Sequence, residues 1–236
     1  NNSTPKKKFN PFRFLKNKNS LFYYFIFLLG VGVAFFAASL FTNYFTTPFT
    51  GDYNTQEYAF YLNLYDDYWH FFKTGSFRLY DTNTYLGANN IGSNSFYSLT
   101  DPFFFIVIFF PRSFMGQAMA ISTIIRMSLS GLAFYGYLRY LKVSDRSARL
   151  AGLAYAYCGW TTWYLWFNNF TENALTFVLM LWGVERILKD KKPWLLMGAI
   201  FLAGLTNFFF LICFIMMAFI YAMFRYFQGL FEHTAK

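Results

Sequence analysis

The residues best suited to chemistry stand just after the first long apolar stretch of the chain. Asp52 follows Gly51 there, and Gln56 and Glu57 come soon after it. A carboxylate where water meets lipid is partly desolvated, which raises its pKa toward the range that suits a general base at neutral pH. Asp is also favoured at the start of a helix, so Asp52 has a second interpretation as a helix cap. Gln56 and Glu57 are candidate substrate ligands under the first interpretation.

Arg126 lies near the middle of another apolar stretch. A charge deep in a membrane-spanning segment is costly and by default marks a functional or tightly paired site. The structural alternatives are an ion pair with a carboxylate of a neighbouring helix, or a side chain that reaches the interface. The sequence does not separate these roles.

A third group of polar residues stands between two later apolar stretches. Trp166 is followed there by Asn168, Asn169, Glu172 and Asn173. An aromatic face together with amide and carboxylate groups suits a sugar ring, which has apolar C–H faces and hydroxyl edges. We therefore predict that Trp166, Asn168 and Glu172 bind substrate, although Trp at a membrane interface is commonly an anchor.

Other kinds of site have little support in the sequence. The only histidines, His70 and His233, are far apart, and no metal-ligand spacing surrounds either. Cys158 and Cys213 both lie in apolar stretches and suggest neither a disulfide framework nor a thiol–metal site. No glycine-rich phosphate loop follows a strand. We predict no metal and no cofactor.

Composition indicates the elements that must hold these residues. The 236 residues are 56% hydrophobic and only 13% charged, well below the charged fraction of soluble domains. The apolar residues come in long blocks, of which the first, residues 21–41, has no charge and is long enough to cross a bilayer. Since unpaired backbone groups cannot sit in lipid, these blocks must be helices. The sequence predicts an all-α integral membrane protein, a polytopic helical bundle.

The basic residues give the predicted orientation. Of the twenty lysines and arginines, fourteen fall in three short clusters beside apolar stretches. The clusters are Lys6, Lys7, Lys8, Arg13, Lys16 and Lys18; Arg139, Lys142, Arg146 and Arg149; and Arg186, Lys189, Lys191 and Lys192. Basic residues beside spans stay on the cytoplasmic side and contact anionic lipid. The net charge of +9 therefore indicates the bilayer as a partner and not nucleic acid.

This orientation divides the chain into segments. Residues 1–20 form a basic cytoplasmic tail, 21–42 the first transmembrane helix, and 43–113 a large external loop. In the loop we predict a surface helix over 55–72 and a re-entrant or interfacial segment over 102–110. Residues 114–224 hold about four further transmembrane helices, over 114–137, 148–167, 174–188 and 194–224. The last is long enough to be two helices hinged near Thr206 and Asn207, which would make five. Residues 225–236 are a tail.

Several short motifs resemble, in order and spacing, the amino-terminal part of the bacterial YfhO family. They are Gly51-Asp52 with Gln56, Tyr85-Leu86-Gly87, Asp101-Pro102-Phe103, Ile125-Arg126-Met127-Ser128-Leu129-Ser130-Gly131-Leu132, Ala154-Tyr155-Ala156-Tyr157-Cys158-Gly159 and Gly183-Val184-Glu185-Arg186. Each is weak alone, but together they cover most of the chain. Because relatives are several times longer, the resemblance implies that these residues are the first part of a larger protein.

The resemblance implies a function. YfhO proteins are similar to the GT-C class of membrane glycosyltransferases, which take a sugar from a polyprenyl-phosphate carrier outside the cell. Acceptors include lipoteichoic and wall teichoic acid. In this class a catalytic Asp follows the first span, in a large first external loop, and Asp52 occupies that place. Arg126 would then neutralise the carrier phosphate. Relatives tend to have Asp at Glu172, which leaves its role open.

Two other functions remain open from the sequence. A transporter or flippase would have broken helices in paired halves and several buried charges, whereas only Arg126 is deep in a predicted span. A membrane scaffold of the cell envelope without catalysis would need none of the candidate site residues.

Overall fold

The computed structural model describes residues 18–46, 51–82 and 87–234, and within these it is helical with one short hairpin. Most of the predicted amino-terminal tail and the Tyr85-Leu86 motif lie outside the described residues. The helices are α1 (Lys18–Phe35), α2 (Ala37–Thr42), α3 (Tyr58–Thr74), α4 (Asn90–Asn94), α5 (Phe104–Ile108), α6 (Met115–Tyr140), α7 (Asp145–Ala156), α8 (Gly159–Trp163), α9 (Asn173–Asp190), α10 (Trp194–Thr206) and α11 (Phe208–Thr234). The all-α prediction is confirmed.

The central element is α6. It packs against α1, α7 and α9, and α5 lies against its amino-terminal half. The contact with α7 is close because Gly131 and Gly152 face each other: a Cβ at Gly131 would stand 2.6 Å from the Gly152 carbonyl oxygen. Small residues of this kind let two helix backbones approach in a membrane.

Two of the described helices are long and apolar enough to cross a membrane. They are residues 112–140, of which most are buried in the protein, and residues 208–229, which are almost entirely exposed. Two shorter apolar helices, Ser20–Phe35 and Trp194–Thr206, accompany them. The exposed face of α11 carries large apolar side chains such as Ile212, Met216 and Phe219, which suits lipid. The number of spans and their orientation stay predictions.

The last apolar block forms two helices, α10 and α11, which was one of the two alternatives for this block. Asn207 has extended backbone angles and ends α10. Its side chain accepts a hydrogen bond from the Phe210 backbone N–H at 3.2 Å, so it caps the start of α11. The second piece is not short, because α11 has 27 residues.

The predicted span over 148–167 is not one helix. α7 ends at Ala156, and α8 and a 3₁₀ turn, Tyr164–Trp166, follow. The 12 residues of α7 rise only ~18 Å, too little to cross the hydrocarbon core alone. Tyr157 and Cys158 form the connection between α7 and α8.

The large loop contains the predicted surface helix and more. A π-helical turn, Tyr53–Glu57, leads into α3, which ends at Gly75 in a left-handed conformation. A two-stranded antiparallel hairpin, Tyr80–Asp81 with Ala88–Asn89, comes next. The predicted interfacial segment forms α5, whose residues Phe104, Val107 and Ile108 are buried against the rest of the protein.

Away from Asn207, Glu185 links α9 to α11. It accepts a hydrogen bond from the Tyr221 hydroxyl at 2.6 Å and from Arg225, and Lys189 lies 2.5 Å away. These contacts fix the direction in which α11 leaves Asn207.

Candidate functional site

Asp52 does not cap a helix. It stands at the residue before the π-helical turn, but its side chain accepts no hydrogen bond from the backbone of the described turn. It accepts one instead from Gln56 Nε2, at 3.1 Å, and Gln56 Oε1 accepts one from the Tyr97 hydroxyl, also at 3.1 Å. The capping interpretation is therefore wrong. Gln56 and Tyr97 orient a carboxylate that remains partly exposed.

A π-helical turn leads from Asp52 to Glu57. In this geometry the backbone hydrogen bonds join residues five apart in the chain, and such turns are rare and frequently found at functional sites. Here the turn directs Asp52 toward the surface and Glu57 into the protein, where its side chain is fully buried.

Trp166 comes next to Asp52 from a distant part of the chain. Gly51 has a φ of +60°, and a Cβ there would lie 3.3 Å from Cε3 of the Trp166 indole. Trp166 is 37% exposed. The structure thus brings together a partly exposed acid and a partly exposed aromatic side chain, which the sequence placed only in separate segments.

Beneath this surface lies a buried polar group that we call the Arg126 cluster: Glu57, Tyr61, Asp101, Arg126, Asn168 and Glu172, all fully buried. Arg126 donates to Asp101 Oδ2 at 2.9 Å, to the Tyr61 hydroxyl at 3.0 Å and to the Asn168 carbonyl oxygen at 2.8 Å. A carboxylate oxygen of Glu172 lies 3.2 Å from Nη1 of Arg126. One guanidinium, carried by α6, therefore contacts α3, the segment before α5 and the turn before α9.

The Asn168 side chain completes the cluster. It donates to the Tyr61 hydroxyl at 2.8 Å and accepts from the Thr123 hydroxyl at 2.7 Å. Both the Nδ2 and the Oδ1 atom of this side chain are thus hydrogen-bonded inside the protein. Of the sequence-predicted ligands between α8 and α9, Trp166 reaches the surface, whereas Asn168 and Glu172 do not.

The cluster holds three carboxyl groups and one guanidinium, so full ionisation would leave an excess of negative charge. The pKa of Glu57 is raised to about 8: burial raises it most, Arg126 opposes this, and the carboxylates of Asp52 and Asp101 add to the rise. The pKa of Glu172 is also raised to about 8, mainly by burial and against the effect of Arg126, and burial raises the pKa of Asp101. Burial therefore favours the neutral forms of these carboxyl groups, and Arg126 favours the charged forms.

Glu57 and Glu172 are the least satisfied members of the cluster. Their carboxyl oxygens have no hydrogen-bond partner among the residues that the structure describes, although Glu172 lies 3.2 Å from Arg126. A buried polar group without a partner costs on the order of 1–3 kcal/mol, so such groups need an explanation beyond stability. The charges of both Asp52 and Arg126 act on the carboxyl group of Glu57.

The burial of Arg126 bears on its predicted contact with a phosphate. The guanidinium is 0% exposed and has the ion-pair contacts of the structural alternative. A ligand phosphate would reach it only if the cluster opened. In this conformation, a ligand can contact Asp52, Gln56 and Trp166 directly.

Sequence reasoning missed Tyr61, Tyr97 and Asp101 as site residues. Tyr61 follows Glu57 by one helical turn and so shares its buried face, a signal that was available once the helix was predicted. Asp101 was present only as part of a motif. Its pairing with Arg126 depends on how the loop folds back over α6, which no local pattern shows. No group of acidic, histidine or cysteine side chains in the described part of the chain could hold a metal.

These features define a helical membrane protein with a polar site built on an extended loop. The family model for the bacterial membrane protein YfhO matches residues 24–236, nearly the whole chain. The protein belongs to the YfhO family, as its motifs indicated. No curated protein matches it, and no solved structure does.

Proposed function

We propose that the protein is a membrane glycosyltransferase. It takes a sugar from a polyprenyl-phosphate carrier and transfers it to an acceptor outside the cytoplasm, such as lipoteichoic or wall teichoic acid. Its family is associated with glycosyltransferase-like function. The observation that carries the proposal is Asp52: a partly exposed carboxylate that makes no capping hydrogen bond, accepts a hydrogen bond from Gln56 and follows Gly51, which lies against the partly exposed Trp166.

In the proposed reaction Asp52 acts as the general base. Its carboxylate takes the proton from the acceptor hydroxyl while that oxygen attacks the anomeric carbon of the donor sugar. The bond between the anomeric carbon and the carrier phosphate breaks, and the phosphate leaves with the bonding electrons. The result is a single displacement with inversion at the anomeric carbon.

Trp166 and the Arg126 cluster have supporting roles in this proposal. The indole offers an apolar surface for the C–H face of a sugar, next to the base. Arg126 fixes the relative positions of the surface helix and the 168–172 turn, and these carry Asp52 and Trp166. Arg126 therefore supports the site by holding these segments in place, and it would contact the carrier phosphate only if the cluster opened.

The proposal places the amino terminus in the cytoplasm, the 43–113 loop outside, and the site at the outer face of the membrane. The three basic clusters of the sequence support that orientation. A site in the loop then meets carriers whose sugar is already outside.

A transfer assay tests the proposal. Membranes with and without the whole protein are incubated with a radiolabelled polyprenyl-phosphate sugar, and label in the acceptor fraction is measured. Trp166→Ala should lower transfer at least tenfold, and Trp166→Phe should keep part of it because an aromatic face remains. Trp163, which is 70% exposed, supplies the matched control: Trp163→Ala should leave transfer unchanged. Equal label with and without the protein would overturn the proposal.

One observation favours a second candidate, a transporter or flippase. The sequence argument against it counted Arg126 as the only deep charge, but the structure gathers three carboxyl groups around that residue. The chain is also broken after α7 and at Asn207, as transporter helices are. Uptake or flipping of a labelled lipid-linked sugar that survives Asp52→Asn would favour this candidate over the transferase.

A further inference from the structure

An apolar cavity lies between α8, α9 and α11. It has a volume of about 390 Å³, within the range of small-molecule sites, and it is lined mainly by aromatic and aliphatic side chains. Its walls come from the end of α7, α8, the start of α9 and α11. Trp160, Cys213 and Met217 on its rim are partly exposed, so the cavity is open to the face that α11 presents to lipid.

One polar side chain in the wall has an unused donor. Asn173 is 1% exposed and lines the cavity, and its Nδ2 has no hydrogen-bond partner among the described residues. A buried donor of this kind is costly unless something accepts from it. Tyr155, another hydrogen-bonding group of the wall, already donates to the Ala174 carbonyl oxygen at 2.8 Å.

The position of Asn173 indicates what kind of acceptor would fit. It is the first residue of α9, an 18-residue helix, and the amino terminus of a helix favours negative charge through its free N–H groups and its dipole. The neighbouring carboxyl group of Glu172 lies 3.2 Å from Arg126 and belongs to the Arg126 cluster. The cavity thus combines one anion-favouring end with an apolar remainder.

We propose that this cavity holds the first isoprene units of a polyprenyl phosphate, with a phosphate oxygen accepting from Nδ2 of Asn173. The chain enters between α9 and α11 from the lipid. This inference rests on the proposed function, since it names a binding site for the carrier that the proposed reaction uses. It adds a binding residue, Asn173, that takes no part in the chemistry.

The protein carries its own reporters of occupancy. Cys158 and Cys213 are the only cysteines of the sequence, and both line this cavity. Their rates of reaction with N-ethylmaleimide, read peptide by peptide by mass spectrometry in the whole purified protein, measure whether a ligand fills it. Farnesyl phosphate serves as the short polyprenyl phosphate, farnesol as the same chain without phosphate, and phosphatidylglycerol as an ordinary membrane lipid.

Farnesyl phosphate should slow labelling of both cysteines at least tenfold, and farnesol should protect them only at much higher concentration. Asn173→Leu keeps the shape but removes the donor, so the concentration of farnesyl phosphate for half-protection should rise about tenfold or more, to near that of farnesol. Asn173→Asp should raise it further by repulsion. The unfolding temperature of Asn173→Leu should not fall, because the variant removes an unpaired amide, and this separates binding from a structural role.

Three results would overturn the inference: no protection by farnesyl phosphate, equal protection by phosphatidylglycerol, or unchanged half-protection in Asn173→Leu. The outcome is independent of the transfer assay. Sugar transfer without protection would remove this inference and leave the proposed function intact, whereas protection without transfer would remove only the proposed function.

Discussion

The main effect of removing Arg126 should be a loss of folding stability, and not the loss of a contact with a ligand. Arg126→Leu leaves Glu57, Asp101 and Glu172 buried without a counter-charge. Breaking a buried ion pair by removing one partner costs roughly 3–5 kcal/mol, and for a chain of this size each kcal/mol shifts the unfolding temperature by roughly 2–4 °C. We expect a fall on the order of 10 °C in detergent.

The size of that fall should depend on pH. Without the guanidinium, the carboxyl groups of the cluster are neutral only if they bind protons, which low pH supplies. The difference in unfolding temperature between wild type and Arg126→Leu should therefore be smaller at pH 5 than at pH 8. Arg126→Lys should lie between the two proteins, because it keeps the charge but loses the geometry that reaches Asp101, Tyr61 and Asn168 together.

Arg112 provides the matched control for this measurement. It forms an ion pair with Asp66 at 2.9 Å, but both side chains are substantially exposed. Exposed pairs contribute little, so Arg112→Leu should shift the unfolding temperature by no more than a degree or two. An Arg126→Leu protein as stable as wild type, with weaker donor binding, would refute the positional role and restore the direct phosphate contact.

Three further predictions concern other parts of the protein. The pKa of Glu57 is raised on folding, so its contribution to stability is complete below about pH 4.5 and is lost as pH rises toward 8. Glu57→Gln should therefore flatten that part of the profile of unfolding temperature against pH. An unchanged profile would contradict the raised pKa of Glu57. Gly131→Ala should force α6 and α7 apart and lower stability by about 1–3 kcal/mol in a denaturation assay, whereas Gly198→Ala, where the added Cβ meets nothing, should not. An engineered Ser147→Cys should not react with a membrane-impermeant thiol reagent in intact cells; reaction would reverse the proposed orientation.

The sequence was sufficient for the features that depend on local pattern. Long apolar blocks predict helices, because lipid leaves the backbone no other partner. The helix after Asp52 was predicted, and the break at Asn207 was one of the two alternatives that the sequence left open. The break after Ala156 was missed because the residues around Cys158 remain apolar or aromatic. An uninterrupted apolar stretch does not show where a helix ends.

The site itself was predictable only in its separate parts. Asp52, Arg126 and Trp166 were each recognisable as candidates from residue type and position. Their arrangement was not, since the approach of Trp166 to Gly51 and the pairing of Arg126 with Asp101 join segments far apart in the chain. That arrangement changes the expected roles: Asn168 and Glu172 are buried supports of the site, and Asp52 and Trp166 form its surface.

The most direct test of the account is the turnover of Asp52→Asn in the whole protein, at saturating donor and acceptor. Asn keeps the size of the side chain and its hydrogen bond with Gln56, so expression and unfolding temperature should match wild type. It cannot accept a proton at neutral pH, so turnover should fall about a hundredfold or more while donor binding persists. Turnover equal to that of wild type would contradict the assignment of Asp52 as the base and, with it, the central claim.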